Sequence, residues 1–270
     1  HTANRRQRQM CIRDSPKENK MNKLVLISGS SRGLGASMAK SFSEAGYKVA
    51  INYFNSEKEA KDLSETLTNQ SHAFKCDVSN KNEVGIMLEN IKVVFGHHPS
   101  ILINNAMTSY VFNGDDRKNA DSISWDEIQD HLNVTLKGSL NLIQGLISDM
   151  KSESFGRIIN IGTNLVQNPV VPYHDYTIAK AALLGLTRTF AKDLGPAGIT
   201  VNMLSGGLLK VTDASSATPD FVFDAIAEMT PLQKVTTIED FSDAALFFAS
   251  DQSRSITGQN LTVDGGLTFN

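Results

Sequence analysis

The chain has 270 residues, 40% of them hydrophobic, enough for one large α/β unit with a substantial core. Its first twenty residues carry Arg5, Arg6, Arg8, Arg13, Lys17 and Lys20 against Asp14 and Glu18, and taking that +4 from the total of −3 leaves about −7 for the rest, which disfavours nucleic acid as a partner. Cys11 and Cys76 are the only cysteines and no apolar run approaches the roughly 18 residues of a membrane span, so neither a disulfide framework nor a transmembrane helix is expected, and a cytoplasmic setting fits.

Residues 1–20 read as a disordered leader: no apolar segment follows their charges, and Met21, just before the first strand-like run, marks the expected natural start of a folded domain over 21–270. Lys23 to Ser28 is a continuous aliphatic run, the pattern of a strand covered on both faces. It leads into Gly29-Ser30-Ser31-Arg32-Gly33-Leu34-Gly35, behind which Leu34, Met38, Phe42 and Ala45 repeat at helical spacing until Gly46. A strand, a glycine-rich turn and a helix in that order leave backbone amides at a helix N-terminus, where a pyrophosphate can approach without Cβ interference.

Tyr47 to Tyr53 predicts a second strand and Ser56 to Leu67 a polar helix. The end of that strand, Asn52-Tyr53-Phe54-Asn55-Ser56, has no carboxylate until Glu57; with Arg32 in the turn, this favours a 2′-phosphorylated dinucleotide, NADP(H), over NAD(H). His72 to Val78 is a third strand ending in Asp77-Val78, Asn80 to Phe95 a helix, and Ile101 to Ala106 a fourth strand ending in the amides Asn104 and Asn105. Met107 to Ser124 is polar and irregular, and Trp125 to Met150 has helical periodicity. His97-His98 beside Pro99 has no ligand-spaced partners, so solvated side chains are expected there and no metal site.

Gly156 to Thr163 is a buried strand, and the helix after it carries Tyr176 and Lys180 one turn apart on one face. A Lys ammonium within about 4–6 Å of a Tyr lowers the phenol pKa toward the range of acid–base work, and the Thr163 hydroxyl is placed to bond the same substrate oxygen. Composition alone supplies about 0.3 such Tyr–Lys pairs in a chain like this, so the pair by itself is weak evidence and its weight comes from its surroundings. Ile199 to Leu204 is a further strand, Ser205 to Lys234 a variable region whose Phe221-Val222-Phe223 cluster suits a flap over a site, Ile238 to Ala249 a helix, and Gly258 to Val263 the last strand. Strands alternating with helices predict one doubly wound parallel sheet of Rossmann type with helices on both faces and ligands at the strands' carboxyl ends.

From Lys23 to Asn270 the chain resembles the short-chain dehydrogenases/reductases, most closely the 3-oxoacyl-(acyl-carrier-protein) reductase type. The motifs are Ser28-Gly29-x-x-x-Gly33-x-Gly35, Asp77-Val78, Asn104-Asn105-Ala106, Tyr176-x-x-x-Lys180 and the closing Thr257 to Gly266 segment. The resemblance implies a nicotinamide-dependent carbonyl reductase with Tyr176 as acid/base, Lys180 on the nicotinamide ribose and Thr163 in place of the family serine. The same residues run in reverse would oxidise a sugar or steroid alcohol, and loss of their function would leave an NADP-binding protein. Thr135, counted back from Gly138, stands where the family has a helix asparagine that anchors a water near the Lys. The implied cofactor contacts are Gly29, Ser31, Arg32, Gly33, Leu34 and Gly35; Tyr53, Asn55 and Ser56; Asp77 and Val78; Asn104, Asn105 and Ala106; Tyr176 and Lys180; and Gly207 and Leu209.

Met107 replaces the glycine of Asn-Asn-Ala-Gly, and Ser205-Gly206-Gly207 replaces Ala-Pro-Gly, so an altered substrate is expected. Ser154-Phe155 and Ala197 stand where carrier-dependent members tend to have arginines, which favours a small-molecule or acyl-thioester carbonyl compound over one on an acyl carrier protein. The small-residue face Ala179, Ala182, Gly185 and the apolar last strand match the homotetramers usual in the family, and His174 is expected at a pocket edge or subunit contact.

Overall fold

Leu24–Ile27 forms β1, and its four side chains divide by the two-residue period of a strand. Leu24 and Leu26 enter one core with Met87, Ile91, Leu142 and Leu146, whereas Val25 and Ile27 enter another with Met38, Phe42, Phe241 and Phe248. In the computed structural model, which describes residues 23–114, 117–210, 212 and 215–269, all four β1 side chains are fully buried. Each such burial contributes about 1.5–3 kcal/mol, so an uninterrupted apolar run is what a strand between two helical layers requires. The expected leader lies outside the described residues, as does the Met21 start.

The other strands are β2 (Lys48–Tyr53), β3 (Ser71–Lys75), β4 (Ile101–Asn104), β5 (Gly156–Thr163), β6 (Ile199–Gly206) and β7 (Asn260–Val263). All pair in parallel in the order β3-β2-β1-β4-β5-β6-β7. The direction of winding reverses between β1 and β4, which opens a crevice there at the strands' carboxyl ends. The helices are α1 (Gly33–Glu44), α2 (Glu57–Thr66), α3 (Lys81–Phe95), α4 (Trp125–Leu132), α5 (Gly138–Ser152), α6 (His174–Leu194), α7 (Asp220–Met229) and α8 (Ile238–Ala249). The single doubly wound parallel sheet is the architecture that the alternating pattern predicts.

Local differences have local causes. β3 stops at Lys75 because Asp77 Oδ1 accepts from both the amide and hydroxyl of Ser79, turning the chain before Val78. β4 stops at Asn104 because the amides of Asn105 and Ala106 both donate to Ser28 Oγ. The helix expected over Trp125–Met150 is two helices joined by a π-helical turn, Asn133–Lys137, with the Gly138 amide donating to the Asn133 carbonyl five residues back. His98 is not solvated: its Nδ1 lies 2.8 Å from Asp149 Oδ2 and its side chain is 9% exposed, while His97 Nδ1 sits 3.0 Å from the His98 carbonyl. Among the described residues no helix is long and apolar enough to cross a membrane.

Candidate active site

The turn after β1 is built to let backbone come close. Gly29 adopts φ +60°, and a Cβ there would stand 2.9 Å from Ala106 Cα; one on Gly35 would stand 2.5 Å from the Gly29 carbonyl oxygen. Asn52 Oδ1 accepts from the Gly29 amide, and its Nδ2 donates to the Cys76 carbonyl, so a buried side chain of β2 fastens the turn to its neighbours. Asn105 braces the other side by donating to the carbonyls of Ser28 and Gly29 at 3.0 and 2.9 Å. On the outer side, among the described residues, Thr212 Cβ at 4.0 Å is what a Cβ on Gly33 would meet.

Helix α1, which begins in this turn, has no side-chain cap and no acidic residue in its first turn. By contrast, α4 and α8 carry full capping boxes, Ser124 with Glu127 and Thr237 with Asp240, and α3 is capped by Asn80. A helix start with no acidic residue in its own first turn, at a glycine turn, suits an anion such as a pyrophosphate. Ser31 and Leu34 are half-buried beside it and Arg32 is exposed.

At the end of β2, Asn55 is exposed and Ser56 half-buried, but the Tyr53 ring points into the core cluster with Val49 and Ile51. Glu57 is paired with Lys61 at 2.6 Å. Val78 is buried against α5, where a Cβ on Gly138 would lie 2.6 Å from Val78 Cγ2, and Asn141 donates to the Val78 carbonyl. Asn104 donates to Asn160 Oδ1 at 2.7 Å, Asn160 donates to Thr187 Oγ1 at 2.8 Å, and Asn104 Oδ1 is buried without a hydrogen-bond partner. Beyond β6, Gly207 lies against Asn164 and Asp264, and Leu209 packs on the second core.

Tyr176, Lys180 and Thr163 meet where β5 ends against α6. Lys180 is 2% exposed, donates to the Ile161 carbonyl at 2.6 Å and has its Nζ 5.6 Å from the Tyr176 ring centroid. Burial pulls the Lys180 ammonium down to about 8. Burial also pushes the Tyr176 phenol up to about 12, against a hydrogen bond with Thr163 that lowers it. The expected depression of the phenol by the ammonium is not what governs it: loss of water around the ring raises it and the Thr163 bond is what lowers it. Thr163 Oγ1 also accepts from the Leu165 amide at 3.3 Å. Thr135 sits in the π-helical turn, 2% exposed, its Oγ1 without a partner and its carbonyl accepting from Ser139.

The polar loop after β4 folds over this group. Tyr110, Tyr173 and Tyr176 form a small aromatic core with Met107, Phe112, Leu165 and Val171 around it. Thr218 donates to the Phe112 carbonyl, tying the segment before α7 to the same loop. The proposed flap is therefore in part a helix, in which Phe223 is buried and Phe221 is 71% exposed. His174 opens α6 and lines a surface hollow of about 450 Å³ with Val170, Val171 and Ile178.

Sequence reasoning missed several residues here. Asn52 reads as the polar end of a strand; Asp175 is masked by its neighbour Tyr176; Tyr110 and Arg117 lie in a stretch whose only visible signal is polarity, and His131 reads as one polar position of a periodic helix. Adjacency to Tyr176 was the one available clue to Asp175.

The sequence profile of the family described as enoyl-(acyl carrier protein) reductase matches residues 29–268. The chain belongs to the short-chain dehydrogenases/reductases. It is 34% identical over 255 residues to a 3-oxoacyl-[acyl-carrier-protein] reductase of Staphylococcus epidermidis, covering 92% of this chain and 99% of that one. It is 29% identical over 265 residues to a D-beta-hydroxybutyrate dehydrogenase of Rhizobium meliloti, with the same coverage. Among solved structures, a 3-oxoacyl-[acyl-carrier protein] reductase from Brucella melitensis superposes with a TM-score of 0.84 at 26% identity over 93% of each chain. A short chain dehydrogenase from Burkholderia cenocepacia in complex with NADP gives 0.79 at 30% identity over 92% of this chain and 99% of that one. As a member of this family the protein is an oxidoreductase acting on the CH-OH/C=O couple.

Proposed function

We propose that this protein is an NADPH-dependent carbonyl reductase in which Tyr176 gives the proton to the substrate oxygen. The observation that carries the reading is the meeting of Tyr176, Thr163 and Lys180 at the carboxyl ends of the strands, where α1 also starts in a glycine turn without a side-chain cap. When bound, a reduced nicotinamide supplies the hydride. Tyr176, held protonated by its burial, is in the form an acid requires; Thr163 orients the substrate oxygen, and Lys180 keeps a positive charge next to the phenol. Asn104 Oδ1 and Thr135 Oγ1, both buried and unsatisfied, suit a polar ligand group or water in the same region.

NADPH is favoured over NADH because no carboxylate stands at the end of β2 before Glu57, whose charge is taken by Lys61, and because Arg32 is exposed at the glycine turn. The family relative holding NADP supports the same choice. The relatives named for acyl-carrier substrates support a 3-oxoacyl compound. A carrier protein is disfavoured: Ser154, Phe155 and Ala197 offer no cation, and the nearby Arg157 is buried, stacked 4.3 Å over Phe155 and donating to the Gly156 carbonyl. The substrate is therefore a free ketone or a small acyl thioester, and the protein a cytoplasmic homotetramer.

The test is NADPH oxidation against a panel of small ketones and 3-oxoacyl thioesters. Tyr176→Phe is expected to lower kcat by roughly 10²–10⁴-fold while NADPH binding is retained. Near-normal turnover in that variant removes the role given to Tyr176, and tight NADPH binding with no turnover across the panel or of the corresponding alcohols replaces the enzyme with a nucleotide-binding protein.

A further inference from the structure

Asp175, the residue before Tyr176, keeps a carboxylate in a site where only 5% of the residue is exposed. An unpaired charge there would be costly, and three groups from earlier segments converge on it. Tyr110 donates to Oδ1 at 3.1 Å, Arg117 Nη2 donates to Oδ2 at 3.1 Å, and His131 Nε2 lies 3.4 Å from Oδ2. Thr108 Oγ1 sits 3.0 Å from the same His131 nitrogen, which extends the network back along the loop.

The groups so held reach the proposed reaction centre. The Tyr110 ring lies nearly parallel to that of Tyr176, 21° apart with centroids at 5.4 Å, and the Arg117 guanidinium lies 4.0 Å over the Tyr110 ring. Burial pushes the Tyr110 phenol well up, so it remains a donor to Asp175 at every working pH. Met107 and Phe112, on the same segment, pack around these tyrosines. One carboxylate thus fixes the face of Tyr176 and the apolar wall beside it.

We propose that Asp175 is a positioning residue for the carbonyl site: by holding Tyr110, Arg117 and His131 it fixes the aromatic wall against Tyr176 and so sets where the substrate's carbon chain lies. This rests on the reductase reading above. The interaction acts on placement of the substrate, and proton transfer by Tyr176 does not pass through it.

Asp175→Asn is nearly isosteric but turns one acceptor toward Arg117 and His131 into a donor. In the full chain, with acetoacetyl-coenzyme A as the probe, KM for the probe is expected to rise about tenfold while kcat stays within about threefold and KM for NADPH is unchanged. Tyr110→Phe, which keeps the ring and loses the tether, should show a smaller rise in the same constant; Tyr110→Ala should match or exceed Asp175→Asn. An unchanged KM for the probe in Asp175→Asn overturns the proposal, as does a parallel loss of kcat, NADPH affinity and melting temperature, which would mark a merely structural role. If Asp175→Asn does not fold, Tyr110→Phe decides by the same constants. Hydrogen exchange gives a readout without turnover: the amides of Asn113 and Gly114, which donate to the Val111 carbonyl and the Tyr173 hydroxyl, should exchange faster in Asp175→Asn and Tyr110→Phe while those of Leu183 to Leu194 keep their protection. Should the unaltered protein reduce no carbonyl compound, the function proposed above fails, and unchanged exchange at Asn113 and Gly114 would overturn the tether separately.

Discussion

Lys180 is the residue whose environment most constrains the chemistry. Its ammonium is desolvated to a pKa of about 8 from the usual 10.5. The reductase rate is therefore expected to fall as pH rises through about 8, where the charge beside Tyr176 is lost; a rate flat to pH 10 would contradict the role given to it. For stability the sign is opposite. Between about pH 8 and 10.5 the unfolded chain binds the proton that the folded one has released, so this group's contribution to stability improves over that window as pH rises. Lys180→Met should then be more stable to unfolding at neutral pH, by at most about 3 kcal/mol, while losing activity. Gly35→Ala, by contrast, is expected to damage both properties, because its methyl would press on the Gly29 carbonyl at 2.5 Å; reduced NADPH binding and a lowered melting temperature are the readouts. Tyr176, Lys180, Thr163 and the glycines were legible because their spacing is local and their chemistry is specific. The balance of charges around Tyr176 was not, since depth of burial depends on a loop whose packing leaves no periodic trace.

Among the elements, the π-helical turn at Asn133–Lys137 is the clearest departure from a regular pattern. A single wider turn barely disturbs the apolar spacing of Ile128, Leu132, Leu136, Leu140 and Ile143, so the sequence reads as one helix. Its effect is to put Thr135 in a buried site where Oγ1 finds no partner. Thr135→Val removes that desolvated hydroxyl with little change of shape, so stability should hold or rise by about 1 kcal/mol, measured by chemical unfolding. A clear loss of stability would mean that the hydroxyl is satisfied in solution. Strand ends were the other weak point: β3 and β4 are shorter than their apolar runs because Asp77 and Ser28 recruit the next amides with side-chain oxygens, a competition that composition does not reveal.

For the whole molecule, the parallel, doubly wound character of the sheet followed from alternation of strand and helix, whereas the order β3-β2-β1-β4-β5-β6-β7 is set by long-range pairing that no segment announces. The long-range bonds that close the site were out of reach, because nothing in either segment names its partner a hundred residues away. The outer strand β7 presents Leu261 at 42% exposure, and Phe247 and Phe269 are exposed as well. Such an edge is expected to be covered in the proposed tetramer, and Leu261→Lys should lower the assembly state seen by light scattering, whereas a monomeric unaltered protein would refute the tetramer. Beyond β7, Asp264 accepts from Asn164, the residue after Thr163, and from the amide and hydroxyl of Thr268. The 264–268 segment is thereby laced to the residue beside Thr163, so a change that loosened Asp264 or Thr268 would be felt as an enzymological defect at the proposed site.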